Sequence, residues 1–168
     1  MVLFFYLGKC QRKITQLSGQ SGTIESPGYP HSYGPAQTCI WQIKVNTGFR
    51  VHIHFDARFD VSRTPACRDE YVLISTRKQR FTDFNVVRNK KDSVVFCGNQ
   101  KPSNVTSPAN ELWIRFKSKS GGWSGFRAWF GAEGTWLLGG GIQISLFSFY
   151  IAVYTHSNFK VSSIFLNI

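Results

Sequence analysis

The chain has 168 residues, enough for one domain with a full core and one further segment, but too few for two domains of ordinary size. Hydrophobic residues make up 42% and aromatic residues 15%, which excludes a disordered chain, since disorder requires low hydrophobicity. Twenty Lys and Arg against nine Asp and Glu give a net charge of +11. That balance favours polyanionic partners and is silent about fold.

From the N-terminus, residues 2–7 (VLFFYL) form an apolar run of six with no basic region before it and no small-residue cleavage site after it. The run lacks the marks of a signal peptide, so the true start is expected to be missing or residues 1–9 to be a stub of a longer chain, truncation being the favoured reading. Strand-like alternation follows. In 40–46, Trp41, Ile43 and Val45 share one face. In 49–55, Phe49, Val51, Ile53 and Phe55 oppose Arg50, His52 and His54. Tyr71–Ile74 and Val94–Phe96 are further candidates. In 111–117, Leu112, Ile114 and Phe116 alternate with Trp113, Arg115 and Lys117; in 125–130, Phe126, Ala128 and Phe130 alternate with Arg127 and Trp129. Turn chemistry separates these runs at Ser26–Pro30, Gly34-Pro35, Pro65, Lys101-Pro102, Pro108 and Gly121-Gly122. No helical stripe of useful length occurs. Many short strands with frequent turns predict an all-β sandwich or barrel.

Four cysteines stand at 10, 39, 67 and 97. None lies within the C-x(2–4)-C distance of structural zinc sites, so the even count reads as two disulfides formed in an oxidising compartment. Spacing leaves all three pairings open. Composition changes near residue 133. The segment up to Glu133 holds 19 of the 20 basic residues and all nine acidic ones, while Gly134–Ile168 carries only Lys160. Trp136–Tyr154 is 19 residues without a charge, close to the roughly 20 that span a bilayer as a helix. Gly139–Gly141, Gln143, Ser145 and Ser148 weaken that reading.

Several motifs, in order, resemble a CUB domain. They are SGTIESPGYPHSY (21–33), Cys39-Ile40-Trp41, Phe55-x-x-x-Phe59-Asp60, Cys67-Arg68-Asp69-Glu70-Tyr71, Phe96-Cys97-Gly98, Phe116-Lys117-Ser118 and Ser124-Gly125-Phe126-x-Ala128. The resemblance implies an antiparallel β-sandwich of two sheets, bridges Cys10–Cys39 and Cys67–Cys97, and an extracellular module, secreted or at the cell surface, that binds protein or glycan without catalysis. The domains expected are the stub 1–9, the CUB domain 10–131, and an apolar tail 132–168 with a candidate membrane span at 136–154. Two wider settings fit the same chain: the ectodomain fragment of a single-pass receptor, and the non-catalytic module of a larger secreted protease.

Many members of that family bind calcium through three acids at one end of the sandwich. The matching positions here are Ser62, Glu70 and Lys119, with Tyr33 beside them. One acid of three remains, and calcium needs six to eight oxygen ligands, so no cofactor, calcium included, is expected. Lys119 is free to pair with Glu70, and Asp60 or Asp69 would compensate in a shifted register. The reversed local sign favours an acidic protein or a sulfated glycan as partner, and no nucleic acid.

Basic residues cluster at Arg77–Arg80, Arg88–Lys91, and Arg115, Lys117, Lys119 and Arg127. A hairpin of 111–117 with 125–130 through Gly121-Gly122 would place Trp113, Arg115, Lys117, Arg127 and Trp129 on one outward face. Like charges opposed on a sheet invite an anion, and exposed Trp beside Arg suits partner contact. Asn104-Val105-Thr106 is an N-glycosylation sequon. His52 and His54 form half a metal site with no third ligand beside them. Gly122-Trp123-Ser124-Gly125 misses the nucleophile elbow by one residue. The chain is therefore not expected to be an enzyme.

Overall fold

The computed structural model describes residues 10–76, 92–138, 142–147, 150–155 and 158–161. The basic clusters at 77–80 and 88–91 and the stub 1–9 lie outside these residues. The described strands are β1 (Gln11–Ser18), β2 (Ser21–Glu25), β3 (Thr38–Lys44), β4 (Arg50–Asp60), β5 (Tyr71–Ser75) and β6 (Ser93–Phe96), then β7 (Val105–Thr106), β8 (Glu111–Lys117), β9 (Gly125–Leu138), β10 (Ile142–Phe147), β11 (Tyr150–Thr155) and β12 (Asn158–Val161). A 3-10 turn, Pro65–Cys67, precedes β5.

The strands form two sheets. One has the order β1-β3-β8-β5-β6; the other has the order β12-β11-β10-β9-β4-β7, with β2 also paired to β9. Pairing is antiparallel except between β1 and β3. The alternation read from sequence sets the inward faces. Ile43, Val51, Ile53, Leu112, Ile114, Phe116, Phe126 and Ala128 are all fully buried in one core. Its centre is aromatic: Phe55 meets Phe59, Phe96 and Phe126 with ring centroids 5.6–5.8 Å apart, and Phe116 meets Phe126 at 5.7 Å. These contacts join the two sheets, since Phe96 and Phe116 come from one and Phe55, Phe59 and Phe126 from the other. Each such side chain contributes on the order of 1.5–3 kcal/mol by burial.

The bridges are those the resemblance implied. Cys10–Cys39 ties the start of β1 to β3, and Cys67–Cys97 ties the turn before β5 to the residue after β6.

The expected hairpin of 111–117 with 125–130 does not form. β8 pairs with β3 and β5, whereas β9 pairs with β2, β4 and β10. The physical reason lies in the core. Phe116 and Phe126 face each other across the sandwich, so their strands must sit in opposite sheets. Trp113, expected on an exposed face, is only 2% exposed. The boundary drawn between 131 and 132 falls inside β9, which continues with Ala132 and Gly134 buried and Glu133 paired to Arg50 at 3.6 Å. The described part of 136–154 is strand, and among the described residues no helix is long and apolar enough to cross a membrane.

Candidate functional site

The positions matched to the family's acids converge at one end of the sandwich, where the turn before β3, the segment after β4, the start of β5 and the β8–β9 loop meet. Tyr33 is 1% exposed, its ring edge-on to Phe116 at 5.0 Å. Its hydroxyl donates to Glu70 Oε2 at 2.7 Å and accepts the Ser62 N–H at 3.2 Å. Glu70, 1% exposed, lies beneath the loop that follows β8. Its Oε1 accepts the backbone N–H groups of Lys119 (3.1 Å), Ser120 (2.5 Å) and Gly121 (3.2 Å). Successive amides aimed at one oxygen make an anion nest.

The loop is fixed at both ends. Ser118 Oγ donates to Gly34 O at 2.8 Å and accepts the Gln37 N–H at 3.1 Å. Gly122 N–H donates to Tyr33 O, and Tyr33 N–H to Trp123 O, both at 3.0 Å. Asp60 Oδ2 accepts the Ser124 hydroxyl at 3.0 Å and the Ser124 N–H at 3.3 Å. Gly121 is required for this closeness. It has φ +76°, and a Cβ there would lie 2.7–2.8 Å from backbone atoms of Tyr33, Gly34 and Pro35.

Burial alone would raise the Glu70 pKa. The Tyr33 hydroxyl and the amides of Ser120, Gly121 and Lys119 outweigh it and hold the carboxyl below its ordinary value. Burial, together with the Glu70 charge, pushes the Tyr33 phenol far above its ordinary value. Lys119 does not pair with Glu70. Its backbone N–H meets that carboxylate, while its ammonium lies 3.3 Å from Asp69 Oδ1, with side chains 65% and 45% exposed. A pair this open is worth about 0–1 kcal/mol.

Calcium requires six to eight converging oxygens. Here Glu70 Oε1 already accepts three N–H groups, Ser62 and Lys119 supply no carboxylate, and Asp60 and Asp69 are turned to Ser124 and Lys119. Among the described residues no three His, Cys, Asp or Glu side chains group closely enough to hold a metal ion.

The other predicted residues are dispersed. Arg115 and Lys117 lie on β8, their charged groups 5.8 and 6.0 Å from the centroid of the Tyr71 ring. Arg127 lies on β9, in the opposite sheet. Its Nε is 2.5 Å from Glu25 Oε1 and its guanidinium carbon is 5.1 Å from the Tyr29 ring centroid. Trp129 stacks on His54 at 5.3 Å and 16°. His52 Nδ1 is 2.9 Å from Thr106 Oγ1. Burial lowers the His54 pKa, helped by the nearby charges of His52 and Lys101. Asn104 is exposed at the edge of β7.

Sequence reasoning missed the amide nest, the Asp60–Ser124 clamp, the Asp69 partner of Lys119 and the exposure of Trp123, which is 41%. The signal available was Ser120-Gly121-Gly122, separated by two residues from the end of a strand, a composition suited to backbone recognition of an anion.

The CUB domain family model matches residues 10–130. Tolloid-like protein 2 of Mus musculus is 36% identical over 113 residues, which is 67% of this chain and 10% of that protein. Procollagen C-endopeptidase enhancer 1 of Rattus norvegicus is 31% identical over 124 residues, covering 71% of this chain and 24% of the relative. The chain thus spans about a tenth of the length of the first of these. Among solved structures, the CUB1-EGF-CUB2 domains of rat MASP-1 superpose with TM-score 0.58 at 26% identity, covering 71% of this chain and 42% of that one. The MASP-1 CUB2 domain bound to Ca2+ gives TM-score 0.56 at 27% identity, covering 70% of this chain and 96% of that one. CUB domains are generally non-catalytic modules of extracellular proteins. With its motifs, two bridges and two-sheet core all in accord, this chain is an extracellular member of the CUB domain family.

Proposed function

We propose that this CUB domain is a non-catalytic module that binds an extracellular protein without calcium, and that the surface it meets is acidic. The observation that carries this reading is the state of Glu70. Its oxygens are already engaged by Tyr33 and three loop amides, and Lys119 stands where the family's pattern has another acid. The first consequence is that no ion is needed to hold the loop, because the loop amides satisfy the carboxylate. The second is that the fully exposed charges at this end are the cations Lys119, Arg63 and Arg68, while Asp60 and Asp69 are half-buried and Glu70 is buried.

A sulfated glycan meets the same charge preference but suits the surface less well. A glycan chain needs a continuous row of cations, and among the described residues three of the cations have carboxylate partners of their own: Arg127 with Glu25, Arg50 with Glu133, Lys119 with Asp69. The test is unfolding of the refolded chain with calcium and with chelator, beside heparin chromatography. The midpoint is expected to be unchanged by calcium and heparin elution to need only low salt. A calcium-dependent rise in midpoint would sink the calcium-free reading. Retention on heparin to high salt, as for a protein contacting many sulfates, would favour the glycan.

A further inference from the structure

We propose that the loop Lys119–Ser124 is the docking loop itself. Trp123 is its apolar anchor, Lys119 and Arg63 are its cationic flanks, and the occupant is an acidic segment of a protein that also carries an apolar side chain. This rests on the acidic-partner reading above and adds its location.

Three independent observations meet there. The first is exposure. Among the described residues the exposed large hydrophobics are Ile14 and Trp123, each 41% exposed. The neighbours of Trp123 in the loop are Gly122 and Ser124, which have no bulk to cover an indole. Tryptophan is the residue most enriched at energetic centres of interfaces, because its large apolar face is ordered at small entropic cost.

The second is rigidity. A loop reading Lys-Ser-Gly-Gly-Trp-Ser would be flexible by composition. Instead, Glu70, Tyr33 and Asp60 together receive or supply hydrogen bonds at every residue from Lys119 to Ser124. A loop already ordered loses little further entropy on binding, so its contacts convert more fully into affinity. Glu70 is in this sense a positioning residue.

The third is charge. The Lys119 side chain is 65% exposed and its carboxylate partner Asp69 is itself 45% exposed, a weak pair that an incoming carboxylate can join or replace. The neighbouring loop is continuous with it: Thr64 Oγ1 accepts the Asp69 N–H at 3.3 Å. That loop carries exposed Arg63 and Arg68. It also walls a cavity of about 530 Å³ lined by Arg63, Thr64, Pro65, Asn99 and Gln100. A partner that carries carboxylates beside an apolar residue matches this set of an exposed indole and exposed cations.

The test uses a phage-displayed random peptide library selected on the chain in chelator, then titration of the selected peptides into the isotope-labelled chain by NMR. Acidic sequences with one bulky apolar residue are expected. Their amide shifts should concentrate in Lys119–Ser124 and Ser62–Pro65. Trp123→Ala is expected to weaken binding about tenfold or more, and Lys119→Glu to weaken it as well, with spectra otherwise unchanged. Arg127→Ala, on a strand of the other sheet, is expected to leave binding intact. Shifts that fall on the outer faces of β5 and β8 or of β4 and β9, Trp123→Ala binding as tightly as the parent, or a selection yielding no peptide that moves the loop amides would each overturn the location. Selected peptides without acidic excess that still move the loop amides would overturn the acidic reading and leave the location standing. Heparin oligosaccharides moving these amides where no peptide does would overturn the protein occupant.

Discussion

Replacing Glu70 by Gln tests the end of the sandwich most directly. The side chain keeps its shape and one carbonyl oxygen but loses its charge. In the parent, Oε1 accepts three backbone N–H groups and Oε2 the Tyr33 hydroxyl at 2.7 Å, all on a residue 1% exposed. Hydrogen bonds to a charged acceptor are worth about 1.5–3 kcal/mol and neutral ones about 0.5–1.5, so each of the three amide bonds weakens by about 1 kcal/mol. The Gln NH2 must also face Tyr33 Oη, which already accepts the Ser62 N–H. Burying a neutral amide costs less than burying a charge and returns part of the loss, leaving a net destabilisation of about 2 kcal/mol. Urea unfolding followed by tryptophan fluorescence near neutral pH measures it. The pH course is diagnostic. Because folding lowers the Glu70 pKa, the carboxylate's contribution is complete above the ordinary glutamate value of about 4.3. It fades as pH falls through the lower folded value. Glutamine does not titrate, so the gap between parent and variant should be flat near neutrality and should close in acid. A variant as stable as the parent, or a gap of constant size down to acid pH, would refute the nest as an electrostatic device.

Three further outcomes follow from the same structure. Ser62→Glu combined with Lys119→Asp restores acids at both departed positions, and this variant is expected to gain a calcium-dependent rise in unfolding midpoint that the parent lacks; equal midpoints in calcium and chelator would count against the placement of those positions. Cys67→Ser with Cys97→Ser opens a link of sequence separation 30 and is expected to cost about 3.6 kcal/mol in the chain-entropy account, read as a lower urea midpoint. Asn104 is exposed beside β7, so the chain secreted from mammalian cells is expected to lose mass on N-glycosidase treatment; a secreted chain that does not change, or an Asn104→Gln chain that still does, would remove that site.

Much of the sandwich was readable because period-two alternation reports which side chains point inward, and the core contains the residues it named. What alternation does not report is which sheet a strand joins. Glu111–Lys117 and Gly125–Phe130 are neighbours in sequence, separated by Gly121-Gly122, and a hairpin is the local default for such a pair. The outcome is decided by Phe116 and Phe126, which pack ring to ring at 5.7 Å only if the strands oppose each other across the core. β2 and β7 were missed for a different reason. β2 buries only Ile24 and β7 is two residues long, so neither displays an apolar period to read. At the candidate site the family's positions were legible, but their partners were not. Glu70 is held by backbone amides, which have no identity in sequence, and Lys119 turns to a carboxylate one residue away from the one expected.

The same distinction governs what the excess of positive charge can do. The net +11 overstates the field at any one face, because Arg50, Lys119 and Arg127 each have a carboxylate within 4 Å. Exposed pairs of this kind add little affinity when exchanged for a partner's carboxylates, since one weak contact replaces another. Their longer-ranged effect is on encounter, where the residual positive potential steers an acidic partner and is screened by salt. Trp123 acts at short range and only after contact. Ionic strength and the indole should therefore separate kinetically. In surface plasmon resonance with a loop-directed acidic peptide, added salt is expected chiefly to slow association, and Trp123→Ala chiefly to hasten dissociation. If salt instead changed only the dissociation rate, the charges would be desolvated parts of the bound contact, and the division of labour between Lys119 and Trp123 would be wrong.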